Sequence, residues 1–429
     1  MLTLFLIFAA LLMLAVPIGY AIGLSSFLAI GMMDVGPLEI VIQRTYGTVD
    51  SYTLLAIPFF VLAGELMSKG GMSMRMINFA NSVVGGLRGS LAQVSIVASM
   101  IFAGVSGSGA ADASAIGSIL IPTMKRLGYP AGWVAALQAC AGTMGPIIPP
   151  SIIMIVYGSM TGVSIGAMFL GGAIPGIMIG LGLMSAVWGL SYFSKYEFLR
   201  QKHGGLDMHN IGDTVKDGFL TLVAPALIIG GIVFGLFTAT EGGAVAAVYA
   251  FLISHFIYRE LQWSDLEEIF VTATVTTGVV VLITGIAGAF GWILTYTQFP
   301  EDVAKFLMSI TTDKTLMLLI IMAFILLLTC FVETLPALIM MTPVLYQIST
   351  QMGYHPVHFG VVICITSFIG TVTPPVGVLL YVTTSIAQCD LKETIRNLPI
   401  FLAVLILVTV IVSFVPQTIT FLPDLLLKR

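Results

Sequence analysis

Charge is what this sequence has least of. Among 429 residues, Lys and Arg number 17 and Asp and Glu 21, together 9% of the chain, where soluble domains carry about 25%. So few charges cannot coat a water-soluble surface. No basic residue precedes Arg44, so the sequence lacks the n-region of a cleaved signal peptide, and its first apolar run is expected to stay as a membrane helix. Cysteine is scarce too. Cys140, Cys330, Cys364 and Cys389 form no C-x-x-C pair, which argues against a disulfide framework or a zinc site and leaves them as small packing residues. No G-x-x-x-x-G-K-[ST] segment occurs, so ATP is not the energy source read from this chain. The net charge of −4 and the lack of a basic patch interleaved with aromatics exclude nucleic acid as a partner.

What the sequence has is 58% hydrophobic residues, laid out in uncharged runs such as Met1 to Met33, Leu127 to Ser194, Ile269 to Pro300 and Thr334 to Cys389. A hydrocarbon core is crossed by about 20 apolar residues, so each run spans it at least once. Helices are expected over Leu2 to Gly31, Ser51 to Met67, Ile165 to Tyr192, Phe219 to Phe237, Gly242 to Tyr258, Phe270 to Thr297 and Leu398 to Phe421. The series Gly172-x-x-x-Gly176-x-x-x-Gly180 reads as helix packing in lipid. The most polar stretch, residues 194–217, divides the chain near its middle, and its Lys and Arg place it on the cytoplasmic side.

The halves on either side of this connector repeat. Leu127-Gly128-Tyr129 recurs as Met352-Gly353-Tyr354, and Gly145-Pro-Ile-Ile-Pro149-Pro150 recurs as Gly370-Thr-Val-Thr-Pro374-Pro375, both with an offset of 225 residues. In a helix the carbonyl of residue i accepts from the N–H of residue i+4, and proline has no N–H. Pro149 and Pro150 therefore free the carbonyls of Gly145 and Pro146, and Pro374 and Pro375 free those of Gly370 and Thr371. An unpaired carbonyl in hydrocarbon costs several kcal/mol, so it calls for protein, water or an ion. A hard monovalent cation suits carbonyls gathered at an unwound turn, and the helix N-terminus beyond the break suits an anion. The plainer alternative is a proline kink relieved by a nearby Ser or Thr.

Upstream of each break lies a short polar stretch between apolar flanks too short to span alone. The first is Gly104-Val-Ser106-Gly107-Ser108-Gly109-Ala-Ala-Asp112 and the second Phe331-Val-Glu333-Thr334-Leu-Pro336-Ala337. Both read as tips of re-entrant hairpins, each closing over the broken helix of its own half. Asp112 and Glu333 are intramembrane carboxylates, which either cap the hairpin helix through backbone N–H groups or contact an ion directly.

On these residues the chain resembles the large membrane subunit of tripartite ATP-independent periplasmic (TRAP) transporters. The resemblance covers nearly the whole length. It is carried by Ala56-Ile-Pro-Phe-Phe-Val-Leu-Ala-Gly64-Glu65, Ser106-Gly-Ser-Gly-Ala-Ala-Asp112, Ile148-Pro-Pro-Ser151, Thr240-Glu241 and Thr373-Pro-Pro-Val-Gly377. It implies an all-α polytopic protein with two inverted structural repeats, re-entrant hairpins, discontinuous helices, and a scaffold around an elevator-type transport domain. It also implies sodium-coupled uptake of a small organic acid, such as a sialic acid or a C4-dicarboxylate, across the bacterial inner membrane. Implied partners are a small membrane subunit and a soluble periplasmic substrate-binding protein. The sodium ligands implied are Ser106, Ser108, Gly145, Ile148 and Pro150 at one site and Thr334, Gly370, Thr373 and Pro375 at the other. Asp112, Glu333, Pro149 and Pro374 support them. Two departures from the resemblance are Gly109, where Ala is expected, and Leu379, where an Asn that contacts substrate is expected.

The organisation that follows has a first half over residues 1–193, with hairpin 1 at about 95–122 and a broken helix at about 131–162. The second half covers 218–429, with hairpin 2 at about 315–350 and a broken helix at about 357–388. Two rivals remain. Gly104-Val-Ser106-Gly107 fits the nucleophile pattern of an intramembrane serine protease, but His255, His355 and His358 sit at the ends of apolar runs or in a loop. A passive anion channel is the other, and accumulation against a gradient separates it from a carrier.

Overall fold

The computed structural model describes residues 2–33, 36–200 and 208–427, so Lys202, His203 and Asp207 of the polar connector lie outside the described residues. The described residues are helical, with no strand among them. The first part holds α1 (Leu2–Met13), α2 (Ile18–Met33), α3 (Glu39–Val49), α4 (Ala56–Lys69), α5 (Met72–Val84), α6 (Ser90–Ser106), α7 (Gly109–Arg126), α8 (Ala131–Gly142), α9 (Ile152–Thr161) and α10 (Ile165–Leu190). Beyond the connector follow α11 (Met208–Val233), α12 (Ala239–Leu252), α13 (Asp265–Tyr296), α14 (Phe299–Ile310), α15 (Lys314–Phe331) and α16 (Thr334–Met352). The chain ends with α17 (Pro356–Gly370), α18 (Val378–Ala387), α19 (Leu391–Phe414) and α20 (Gln417–Leu426).

Among the described residues, seven segments are long and apolar enough to cross a membrane: Tyr52–Lys69, Ile165–Leu190, Thr214–Val233, Ala239–Ile257, Asp265–Tyr296, Lys314–Phe331 and Leu391–Phe414. Their outward faces carry exposed Val275, Val279, Phe324 and Leu327, side chains that lipid accepts and water does not.

Several expected helices are cut or extended. Leu2 to Gly31 is two helices, because Pro17 gives no N–H and the chain turns at Ala15, whose φ is 58°. Leu398 to Phe421 is also two, parted ahead of Pro416, while α19 itself begins earlier, on the Asp390 cap that accepts from the Lys392 N–H. The helix expected from Phe219 starts at Met208, inside the polar connector. α12 starts at Ala239, held by a capping box in which the Thr238 hydroxyl accepts from Glu241 and the Glu241 carboxylate accepts from Thr238.

Polar contacts gather the helix ends at two opposite faces. At one face, the Gly89 N–H that precedes α6 donates to the Leu199 carbonyl at 2.7 Å, and Tyr129 and Trp133, around the start of α8, meet the ring of Phe198. Lys125, near the end of α7, donates to the Ala387 carbonyl that ends α18. At the other face, Ser159 near the end of α9 bonds Ser51 and Thr53 just ahead of α4. A cavity of about 660 Å³ there is lined by Ser159, Tyr346 near the end of α16 and Thr295 near the end of α13. Tyr354 and Lys314 fasten the base of the α15–α16 hairpin, the tyrosine hydroxyl donating to the Lys314 carbonyl at 2.5 Å. The two hairpins therefore enter from opposite faces, and α8–α9 runs opposite to α17–α18.

Candidate functional site

The first tip is the turn between α6 and α7. Gly107 holds φ at +61°, a region closed to most side chains, and Ser108 caps α7 by accepting from the Ala111 N–H at 3.4 Å. The Ser106 hydroxyl is buried and lies 3.5 Å from both the N–H and the carbonyl of Ser108. Behind it, Gly64 of α4 runs within van der Waals distance of the Ser106 backbone.

This tip is pressed against the break between α8 and α9. A Cβ on Gly107 would lie 2.9 Å from the Pro150 carbonyl oxygen, and one on Gly145 would lie 2.9 Å from the Ser108 carbonyl oxygen. A Cβ on Gly109 would likewise lie 2.9 Å from the Gly142 carbonyl oxygen. Three glycines thus let carbonyl-bearing backbone meet at a distance no other residue allows. The structure brings Ser106, Ser108, Gly145 and Pro150 together here. The Ile148 side chain is seated on Gly176 of α10, while the Ile147 carbonyl meets Gly172. The glycine series of α10, read from sequence as generic packing, is the surface on which the break rests.

The second tip lies between α15 and α16 and meets the break between α17 and α18. Gly370 abuts Thr329, so closely that a Cβ would lie 2.7 Å from the Thr329 carbonyl carbon. The Thr334 hydroxyl donates to the Ser367 carbonyl at 3.2 Å, the Thr373 hydroxyl to the Ile369 carbonyl at 2.7 Å, and the Val376 N–H to the Cys330 carbonyl at 3.1 Å. Each hydroxyl keeps lone pairs free for a cation. Both proline pairs, Pro149-Pro150 and Pro374-Pro375, have a cis bond.

The freed carbonyls are only in part as expected. Pro146 is paired, because the Ser151 hydroxyl donates to its carbonyl at 2.5 Å while accepting from the Met154 N–H as the cap of α9. Gly370 accepts from the Thr373 N–H at 3.0 Å and Thr371 from the Leu379 N–H at 3.1 Å. Of the four, the Gly145 carbonyl alone has no donor among the described hydrogen bonds. A tighter turn ahead of the prolines satisfies Gly370, and the chain after them bends back far enough to supply the donors to Pro146 and Thr371, a geometry that helix arithmetic does not contain.

The capping alternative for the two carboxylates is overturned. Asp112 sits in the first turn of α7 but Ser108 is the cap, and both carboxylate oxygens are fully buried without a hydrogen bond among the described residues. Its polar neighbour Ser99 belongs to a chain in which Gln138 donates to Ser99 at 3.2 Å and Ser95 donates to Gln138. Glu333 occupies the cap position of α16 but makes no side-chain cap bond, and it is exposed to a cavity.

That cavity, about 260 Å³, lies between the tips. It is lined by Gly107 to Ala110, by Ile152 and Ile153 at the start of α9, by Glu333 to Leu335, by Phe368 and Thr371, by Val378 and Leu379, and by Thr276 and Val280 of α13. Four helix N-termini converge on it, those of α7, α9, α16 and α18, and no Lys, Arg or His is among its described lining residues. Leu379 replaces the expected Asn with an apolar side chain that packs against Gly109 and Gly142, joining second half to first. Sequence reasoning named Thr371 only for its freed carbonyl, and missed the capping role of Ser151 and the place of Thr276 in the cavity wall. Only Ser151, placed directly after a Pro-Pro, carried a signal.

The histidines are engaged away from Ser106. His255 bonds the Leu261 carbonyl and stacks on Phe251, His358 bonds the Val412 carbonyl, and His355 caps α17. A nucleophile–base pair is therefore not assembled from these three.

Discontinuous helices whose ends converge at a small cavity inside a bundle of membrane helices define a transporter class of site. The chain belongs to the DctM component family of tripartite ATP-independent periplasmic transporters, whose family model matches residues 5–418. It is 36% identical over 409 residues to the isethionate TRAP transporter permease protein DctMQ of Oleidesulfovibrio alaskensis, covering 95% of this chain and 64% of that protein's length. To the sialic acid TRAP transporter large permease protein SiaM of Vibrio cholerae it is 35% identical over 422 residues, 97% of each chain. The YdaH transporter of Alcanivorax borkumensis has the same fold at 12% identity, with a TM-score of 0.60 over 87% of this chain and 86% of that one. These relatives are permeases, not enzymes, and the protease reading falls with them.

Proposed function

We propose that this multi-pass membrane protein carries a small organic acid inward across the bacterial inner membrane, driven by sodium. The observation that carries the reading is the convergence of two hairpin tips and two interrupted helices on one cavity from opposite faces. Ser106, Ser108, Gly145, Ile148 and Pro150 supply one sodium site, where the unpaired Gly145 carbonyl and the crowded carbonyls of Ser108 and Pro150 form an electronegative cluster. Thr334, Gly370, Thr373 and Pro375 supply the other. The four helix N-termini hold the carboxylate in the cavity between them.

Opposite insertion of the two hairpins supports an inverted repeat, and with it an elevator motion. In that motion the hairpins and broken helices move together against a scaffold that includes α13. Relatives named for isethionate, sialic acid and C4-dicarboxylates support an organic anion as cargo. A small membrane subunit and a periplasmic binding protein complete the transporter, and the fused relative DctMQ is consistent with an intimate membrane partner.

The test is uptake by proteoliposomes holding this chain with its membrane subunit, supplied with loaded binding protein. An inward sodium gradient should drive accumulation, and a sodium ionophore should abolish it. Replacing Pro149 and Pro150 with Ala, which restores two N–H donors, should weaken the sodium dependence. Equal flux without any sodium gradient would leave a passive channel as the better description.

A further inference from the structure

We propose that the cavity between the tips selects a compact monoanionic acid that carries a hydrogen-bond donor away from its carboxylate, and that it turns dicarboxylates away. This rests on the transport-site reading above. At about 260 Å³ the cavity falls just below the range of roughly 300–1,000 Å³ in which drug-sized ligands are held. Its walls offer a carboxylate one kind of welcome: N–H groups at the starts of α7 and α9, with the hydroxyl of Ser108 beside them.

Among the described lining residues, Glu333 is the one charged side chain. It caps nothing and belongs to no ion pair among the described residues. In a space this small, a second carboxylate on the cargo would sit close to Glu333, and no basic side chain among the described lining residues pairs with either. An amide, amine or hydroxyl at the same place would instead donate to it, and hydrogen bonds to an ionised acceptor are the stronger kind. Leu335, Phe368 and Leu379 leave the carbon body between the two ends in apolar surroundings. Selection thus comes from a repulsive element as much as an attractive one.

Succinate and its half-amide succinamate share a carbon skeleton and differ by one charge, so they isolate the role of Glu333. Binding of each is measured to the purified permease with its membrane subunit, with and without sodium, by competition or calorimetry. Wild type should bind succinamate about tenfold more tightly than succinate, in a sodium-dependent manner. Glu333→Gln should bring the two within about threefold, and Glu333→Asp should keep the preference. Should the Gln variant not fold, the wild-type ratio decides alone. Succinate binding as tightly as succinamate to wild type, or binding of neither, overturns the proposal. Succinate preference that still requires sodium leaves the transport site standing, whereas binding of both acids indifferent to sodium strikes at the transport reading itself.

Discussion

At the first break a side chain does what the backbone does at the second. Ser151 lends its hydroxyl to the Pro146 carbonyl, and the Gly145 carbonyl is left without a donor; at the second, the N–H groups of Thr373 and Leu379 take the carbonyls of Gly370 and Thr371. The difference begins with the residues that follow the prolines. Ser151 is itself the cap of α9, so α9 starts at once. After Pro375, Gly377 with φ at +42° swings the chain round before α18 begins, and that swing brings the Leu379 N–H back to Thr371. The same Gly-x-x-x-Pro-Pro pattern therefore guarantees an interruption but not what fills it. The first break leaves its electronegativity in bare carbonyls, whereas the second offers threonine hydroxyls.

The largest effect on transport is expected from a methyl group at either glycine. Gly145→Ala would force the tip carbonyl of Ser108 away, and Gly370→Ala would push against the Thr329 backbone. Overpacking of this kind costs about 1–3 kcal/mol, and if it acts on the loaded site it should cut sodium-driven uptake by roughly 10- to 100-fold at equal expression. Uptake of wild-type rate in Gly145→Ala would show that the tip and break need not touch.

Next comes Leu379, which ties the second break to the first tip. Leu379→Ala removes a buried side chain and should lower stability by about 2–5 kcal/mol, read as a fall in the melting temperature of the purified complex. An unchanged melting temperature would mean that the halves are not joined there.

Thr373→Val tests the asymmetry itself. It deletes a hydroxyl proposed to face sodium at the second site only, and should raise the sodium concentration for half-maximal uptake about tenfold. An unchanged sodium requirement would remove Thr373 from the site.

Ser151→Ala should have the smallest effect. It deletes the α9 cap and the donor to Pro146, worth about 1 kcal/mol, and should appear as a modest stability loss. A loss as large as that of Leu379→Ala would show that the first break depends on the serine far more than one hydrogen bond allows.

The positions of both interruptions were legible because proline lacks a donor wherever it stands. The first tip was legible because Gly, Ser and a lone carboxylate lie between short apolar flanks. The flank ahead of the second tip, Lys314–Phe331, is long and apolar enough to cross a membrane, contrary to the expectation from sequence. The split of the first helix at Pro17 follows from the same rule, although the apolar run around it is uninterrupted. Asp112 and Glu333 look alike in sequence. Only their surroundings make one fully buried behind a tip and the other the wall of a cavity.

The sequence by itself determined the solvent, the helical class and the sites at which helices must stop, since each follows from a local chemical fact: few charges, no strand alternation, missing N–H groups. Which carbonyls stay bare, which helix starts face one another, and that Glu333 stands in a cavity whose described lining holds no basic side chain were decided by tertiary structure alone. Those properties depend on groups far apart in the chain meeting within a few ångströms, a meeting set by how the helices pack and by where glycines allow backbones to touch.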